Sequence, residues 1–149
     1  MKISVRVAGS GDVGTIAEFN ARLAAESEDK KLDLATVRAG VAALIADPQK
    51  GRYYLAESDG RIVGQVAVTF EWSDWRNGWF WWLQSVYVHA ENRGQSVFRA
   101  LYEAVQYEAV KLNVVGLRLY VEQSNDVGQS SYRSIGMTLT SYLVYEKSL

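Results

Sequence analysis

The chain has 149 residues, 48% of them hydrophobic and 22% charged, which suits one soluble globular domain spanning 1–149 that builds its core without staples. A formal net charge of −1 removes the broad basic surface that phosphate backbones need, so nucleic acid is not the expected partner. With no cysteine, disulfides, thiolate metal sites and cysteine nucleophiles are excluded; with no secretory leader pattern in the first residues and no run of transmembrane length, a cytoplasmic setting away from membranes is expected.

Ile3, Val5 and Val7 alternate with Ser4 and Arg6, the period of a strand with one buried face. Ser10 or Asp12 then offers a short side-chain oxygen to the orphan amides of a helix whose apolar positions are Ile16, Phe19, Leu23 and Ala24. The segment Gly9-Ser10-Gly11-Asp12-Val13-Gly14 is a literal G-x-G-x-x-G. A dinucleotide fold, however, needs its next strand after a single helix. Here a polar break, Glu26 to Asp33, leads into a second helix with Val37, Val41, Leu44 and Ile45 on one side, stopped near Asp47-Pro48. The glycines are read as permitting the strand-to-helix turn.

Arg52 to Glu57 and Arg61 to Glu71 read as strands joined at Ser58-Asp59-Gly60, because Asp-Gly supplies the positive φ of a tight hairpin. Asn77-Gly78 repeats the device between the aromatic segments Phe70 to Trp75 and Trp79 to Val88. All five tryptophans lie between Trp72 and Trp82, which predicts cross-strand aromatic packing or a dimer surface. Val97, Leu101, Val105 and Val110 mark a long helix, Leu117 to Val121 a strand, Ser130 to Ile135 another helix, and Leu139 to Tyr145 a closing strand. The order β-α-α-β-β-β-α-β-α-β is an α/β chain with a mixed sheet covered by helices. His89, the one histidine, has no clustered ligands around it in sequence and is read as ending a strand, with no metal expected.

The segment Leu83 to Phe98 joins an apolar strand to an immediate helix start, so unpaired amides and the positive end of a helix dipole face whatever lies above; an anion belongs there. Within it Arg93-Gly94-Gln95-Ser96-Val97-Phe98 resembles the Arg/Gln-x-x-Gly-x-Gly/Ala signature of the GNAT (GCN5-related N-acetyltransferase) superfamily, with Ser96 and Phe98 standing where that pattern has small residues. A second stretch, Asn125, Gly128, Tyr132 and Gly136, is similar to the superfamily's Asn, Ala, Tyr, Gly-Phe series at the same spacing, and Arg6 to Asp12 looks like its opening. The Phe98 ring is expected to turn toward the sheet while its amide faces the ligand.

The resemblance implies an N-acetyltransferase with acetyl-CoA as co-substrate and direct attack by a neutral amine within a ternary complex. It implies cofactor contacts from Val86, Tyr87, Val88, Arg93, Gly94, Gln95, Ser96, Val97, Phe98, Asn125 and Tyr132, and assigns Tyr132 the protonation of the departing thiolate. Many relatives keep a carboxylate on the fourth strand, where this chain offers Gln84 and Ser85, so Glu71 or Asp74 working through water is the expected base. Glu26, Trp72, Asp74, Trp75 and Gln84 make up the expected rim for a cationic acceptor, the aromatics through cation-π contacts. A small-molecule amine is the first expectation and a homodimer the expected assembly. Protein or peptide N-acetylation, and a catalytically silent acyl-CoA-binding module, are the other readings.

Overall fold

The structure is a computed structural model that describes residues 2–149. Its contacts divide into two compact units, Met1–Leu119 and Tyr120–Leu149. The first unit holds all five strands: β1 (Ser4–Val7), β2 (Arg52–Ser58), β3 (Arg61–Ser73), β4 (Gly78–Val88) and β5 (Gly116–Leu119). They lie in that order across one sheet, antiparallel from β1 to β4 and parallel between β4 and β5. The helices of this unit are α1 (Val13–Glu28), α2 (Leu34–Ala46) and α3 (Val97–Lys111). The mixed α/β architecture expected from the sequence is therefore present.

Alternation along the strands divides the core in two. One layer packs Tyr54, Ala56, Val66, Val68, Trp81 and Leu83 of the sheet against Val97, Leu101, Val105 and Ala109, the inward stripe of α3. The opposite layer packs Tyr53, Leu55 and Ala67 against Ile16 and Val41 of α1 and α2. Gly64 decides how closely α3 can approach. A Cβ there would lie 2.7 Å from Val97 Cγ1 and 3.2 Å from the Tyr87 carbonyl oxygen, so only a glycine lets the first turn of α3 lie on the sheet.

Local chemistry sets the turns. Asp59 and Gly60 both take positive φ, as the β2–β3 hairpin requires. The β3–β4 connection differs from the expected two-residue Asn-Gly turn. Ser73 pairs with Gly78, leaving Asp74 to Asn77 as a four-residue loop in which Asn77 alone has positive φ, and Trp75 lies in that loop rather than in a strand. The register follows the Trp72–Trp79 cross-strand pair, whose rings meet edge to face at 5.0 Å. Gly78 is needed for closeness instead: a Cβ would meet Val115 Cγ1 at 2.5 Å.

The G-x-G-x-x-G segment is a turn and not a phosphate cradle. Gly9, Gly11 and Gly14 have no close neighbour that a Cβ would strike, and none has positive φ. Strand β1, which precedes them, pairs antiparallel to β2, where a dinucleotide fold needs parallel strands. Asp12 closes the turn by accepting from the Gly9 amide at 2.7 Å and from both terminal nitrogens of Arg6 at 2.8 Å, while Arg6 Nε donates to Glu57 on β2.

The second unit contains α4 (Asp126–Ser134), which starts four residues earlier than its apolar pattern predicts because Asn125 caps it, Oδ1 accepting from the Gly128 amide at 2.9 Å. A Cβ on Gly128 would fall 2.6 Å from Asn125 Nδ2, so glycine at this position makes room for the cap. The closing strand expected at Leu139 to Tyr145 is not formed: residues 137–149 carry no strand or helix. Period and propensity make a run competent for a ladder, and the ladder itself needs a second strand.

Two outcomes follow from the packing. Gly64→Ala is expected to cost about 1–3 kcal/mol in chemical denaturation, because Val97 and the Tyr87 carbonyl cannot both give way. Arg6, chiefly through its side-chain hydrogen bonds, holds the Asp12 carboxyl below the ordinary carboxylate range. The folded-state value being the lower one, this contribution is complete above the unfolded value near 4 and disappears as pH falls through the folded value. Denaturation midpoints taken across the acid range should therefore fall less steeply in Asp12→Asn than in the parent.

Candidate active site

Strand β4 changes character halfway along. From Phe80 to Leu83 it is paired on both sides, by β3 and by Gly116 to Leu119 of β5. The β5 ladder stops at Leu83, while pairing with β3 resumes at Gln65–Tyr87 and Gly64–Val88. Between them the register slips: Ser85 and Val86 together oppose Val66, and Ser85 takes φ 51°. This is a β-bulge, one extra residue that turns the strand and leaves Gln84 to Val88 with a main-chain edge that β5 does not cover.

The bulge is held from beneath by an amide relay. Gln65 Nε2, on a side chain with 0% exposure, donates to the Ser85 carbonyl at 3.1 Å and to Asn20 Oδ1 of α1 at 2.7 Å, and Asn20 Nδ2 donates to the Tyr53 hydroxyl at 3.2 Å. The sequence reading missed these residues. The available signal was Gln65 itself, a lone polar residue within the apolar run Ile62 to Val68. Burying an amide is tolerable only when it is hydrogen-bonded.

Beyond Val88 the chain makes one turn of 3₁₀ helix at Ala90–Asn92 and enters α3 at Val97. His89 ends the strand, its amide donating to the Val63 carbonyl at 2.8 Å and its Nδ1 accepting from the Glu91 amide at 3.3 Å. Gly94 takes φ 76° and Ser96, the N-cap of α3, takes φ 66° with no side-chain cap. Ser96 thus adopts the left-handed conformation that glycine enters freely, at the position where the signature carries glycine. The first amides of α3 receive no hydroxyl from Ser96, so the start of the helix presents donors and the positive end of its dipole.

Side chains around this turn face away from it or clip it in place. Val97 is the residue that enters the core, and the half-buried Phe98 ring sits 6.2 Å from that of Tyr102. Over Gly64 the helix places Val97 and, one turn on, Leu101. Val86 and Val88 pack against the α3 layer, and Tyr87 is buried against Phe19, so these three present main chain to the open edge. Arg93 lies over the Tyr87 ring, donates from Nε to the Val88 carbonyl at 3.0 Å and pairs with Glu26 at 2.8 Å. Glu26, read from sequence as acceptor rim, here ties the end of α1 to the turn.

The expected rim does not gather in one place. Glu71 Oε1 accepts from Trp82 Nε1 at 2.7 Å and lies 3.4 Å from Arg118, whose guanidinium stacks 3.7 Å from the Phe80 ring centroid. Gln84 Nε2 donates to Thr69 Oγ1 at 2.6 Å on this same face, shared with α1 and α2. Trp72 stands on the other face with Trp79 and Phe70, and Asp74 accepts from the Trp75 amide inside the hairpin loop. At about 3.3 Å per residue, Trp79 is already roughly 20 Å along the strand from Ser85, and Trp75 is farther still. Arg118, the partner of Glu71, gave no sign in sequence because the pairing spans 47 positions.

In the second unit Tyr132 sits half-buried on α4, and burial pushes its phenol above the ordinary tyrosine value. The helix ends with Gly136 in positive φ and the Met137 amide bonded to the Tyr132 carbonyl at 3.1 Å. Among the described residues no group of three or more histidine, cysteine or acidic side chains is placed to hold a metal ion, and no helix is long and apolar enough to cross a membrane.

Comparisons with known proteins meet this geometry. The family model for the acetyltransferase (GNAT) family matches residues 18–137. A crystal structure of a possible acetyltransferase from Clostridium difficile 630 is similar at 41% identity and a TM-score of 0.92, over 100% of this chain and 99% of that one. Two solved structures below 25% identity share the fold. The predicted acetyltransferase with acetyl-CoA from Clostridium acetobutylicum has 16% identity and a TM-score of 0.81 over 98% and 96% of the two chains. Ribosomal-protein-alanine N-acetyltransferase from Brucella melitensis biovar Abortus 2308 has 18% identity and a TM-score of 0.79 over 99% and 100%. No curated protein matches the sequence significantly. On the strength of the family match and the bulged fourth strand feeding an uncapped helix, this chain belongs to the GNAT acetyltransferase family.

Proposed function

We propose that the protein transfers the acetyl group of acetyl-CoA to the primary amine of a small molecule, as a cytoplasmic homodimer, by direct attack in a ternary complex. The observation that carries this reading is the bulge at Ser85 with an open main-chain edge from Gln84 to Val88, running into the uncapped start of α3. Acetyl-CoA brings an activated thioester, a pantetheine arm rich in amide groups and a diphosphate. An uncovered strand edge can pair with such amides, and helix-start donors suit a diphosphate. The chain's own donors therefore fit the co-substrate.

In this reading the amides of Arg93 to Phe98 hold the diphosphate, and main-chain groups of Gln84 to Val88 orient the arm. Asn125 shapes the start of α4 so that Tyr132 is presented. A phenol whose proton is held more tightly than usual remains protonated at neutral pH, which suits a group that must deliver a proton to a thiolate. Glu71 is the base that accepts the proton of the attacking amine through water, its carboxylate steadied by Trp82 and Arg118.

Tyr132→Phe is expected to lower kcat by roughly 10²-fold with calorimetric CoA affinity unchanged; full turnover in the variant removes the phenol from the reaction. Ser96→Gly is expected to raise stability by about 1 kcal/mol in thermal denaturation, since it relieves a left-handed serine, and to retain or tighten CoA binding. If the glycine variant bound CoA more weakly, the Ser96 side chain would itself be a ligand.

A further inference from the structure

Gln65 is out of keeping with its surroundings. It pairs with Leu55 and Tyr87 across the sheet and is 0% exposed, in the layer that packs Tyr53, Leu55 and Ala67 against Ile16 and Val41. Its Oε1 has no partner among the described residues, so the amide carries a cost that an apolar side chain of the same length would not. Packing alone does not account for it. What an amide supplies, and an apolar side chain cannot, is a pair of donors.

One end of the relay dictates its polarity. A main-chain carbonyl only accepts, so the Gln65 atom 3.1 Å from the Ser85 oxygen must be Nε2. The second N–H on that nitrogen needs an acceptor and finds Asn20 Oδ1 at 2.7 Å, which turns Asn20 Nδ2 toward the Tyr53 hydroxyl at 3.2 Å. Each amide orientation thus follows from the Ser85 carbonyl being drawn inward. Helix α1 grips β4 a second time: Glu26 holds Arg93, whose Nε donates to the Val88 carbonyl at 3.0 Å. Asn20 and Glu26 lie about 9 Å apart along the helix, so one rigid element steadies the side chains that pin both carbonyls.

We propose that Gln65 and Asn20 are positioning residues for the pantetheine arm of CoA: by holding the Ser85 carbonyl inward they preset the bulge, and with it the main-chain edge from Gln84 to Val88. This rests on the reading that this edge orients the arm while the start of α3 holds the diphosphate. Ser85 sits at φ 51°, a left-handed conformation that a serine leaves readily once its carbonyl is released, and the register beyond the bulge then slips. The loss falls on the arm. It spares the diphosphate, whose donors belong to Arg93 to Phe98.

The test compares calorimetric affinities for CoA and for phosphoadenosine diphosphate, the nucleotide part of CoA that keeps the diphosphate and lacks the arm. The parent is expected to bind CoA more tightly than the nucleotide. Gln65→Met, similar in length and without donors, should lower that advantage on the order of 10-fold while leaving affinity for the nucleotide unchanged. A general loosening of the fold would weaken both ligands together. Asn20→Leu should act in the same direction, and Asn20→Asp should restore most of the loss, since a carboxylate still accepts from Gln65 and from the Tyr53 hydroxyl. A Gln65→Met protein that keeps the parent's advantage overturns the inference, as does one that loses both ligands equally. If Gln65→Met does not fold, Asn20→Leu and Asn20→Asp decide the matter, and equal CoA affinities in those two overturn the inference. A parent that binds CoA no better than the nucleotide defeats the underlying reading and the inference with it, and shows this before any variant is compared.

Discussion

A single buried amide governs the geometry of the candidate site. Gln65 lies on β3, out of reach of solvent, and its nitrogen is shared between the Ser85 carbonyl and Asn20 of α1. The first bond fixes the extra residue of β4 in its left-handed conformation, and the second fixes a helix to the sheet at the same point. Because the acceptors lie in a region of low dielectric, each bond resists disruption more than a solvent-exposed one would. The uncovered edge of β4 and the entry into α3 both inherit their position from this contact. Gln65 Oε1 has no partner among the described residues, so the arrangement carries the cost of one unsatisfied buried acceptor.

Around that point, charge is used for fastening. Arg93 ties Val88 and Glu26 together over the Tyr87 ring, and Arg6 binds Asp12 and Glu57 across the first turn. Both clips are partly exposed, so each adds modestly to stability while defining where a loop lies. Arg118, pressed onto Phe80 and facing Glu71, does the same for the central strands. The donors left toward the open edge are backbone groups, which cannot rotate away and so are organised before any ligand arrives.

Much of this was legible in the sequence because it rests on short-range rules. Alternation in Ile3 to Val7, the Asp59-Gly60 turn, the proline after α2 and the spacing of Val97, Leu101 and Val105 each act within a few residues. The junction at Arg93 to Phe98 was legible for the same reason. Three features escaped. The Gln65 relay and the Glu71–Arg118 pair depend on residues brought together only by the completed sheet. The Asn77-Gly78 dipeptide announced a tight turn, yet the Trp72–Trp79 pairing and the closeness of Gly78 to Val115 lengthened the loop, so tertiary packing overrode a local preference. Leu139 to Tyr145 shows the limit from the other side: its pattern declares a strand, and no pattern within a chain names the strand it will pair with.

The placement of the tryptophans also shapes how this protein reports on itself. All five belong to β3, β4 and the loop between them, and Trp81 is buried in the core beside Leu83 and Leu101. Indole emission will consequently register the melting of one hairpin. Fluorescence therefore follows the β3–β4 hairpin during denaturation, whereas far-ultraviolet dichroism averages over every helix and strand, and curves that separate would show that the chain does not unfold in one step.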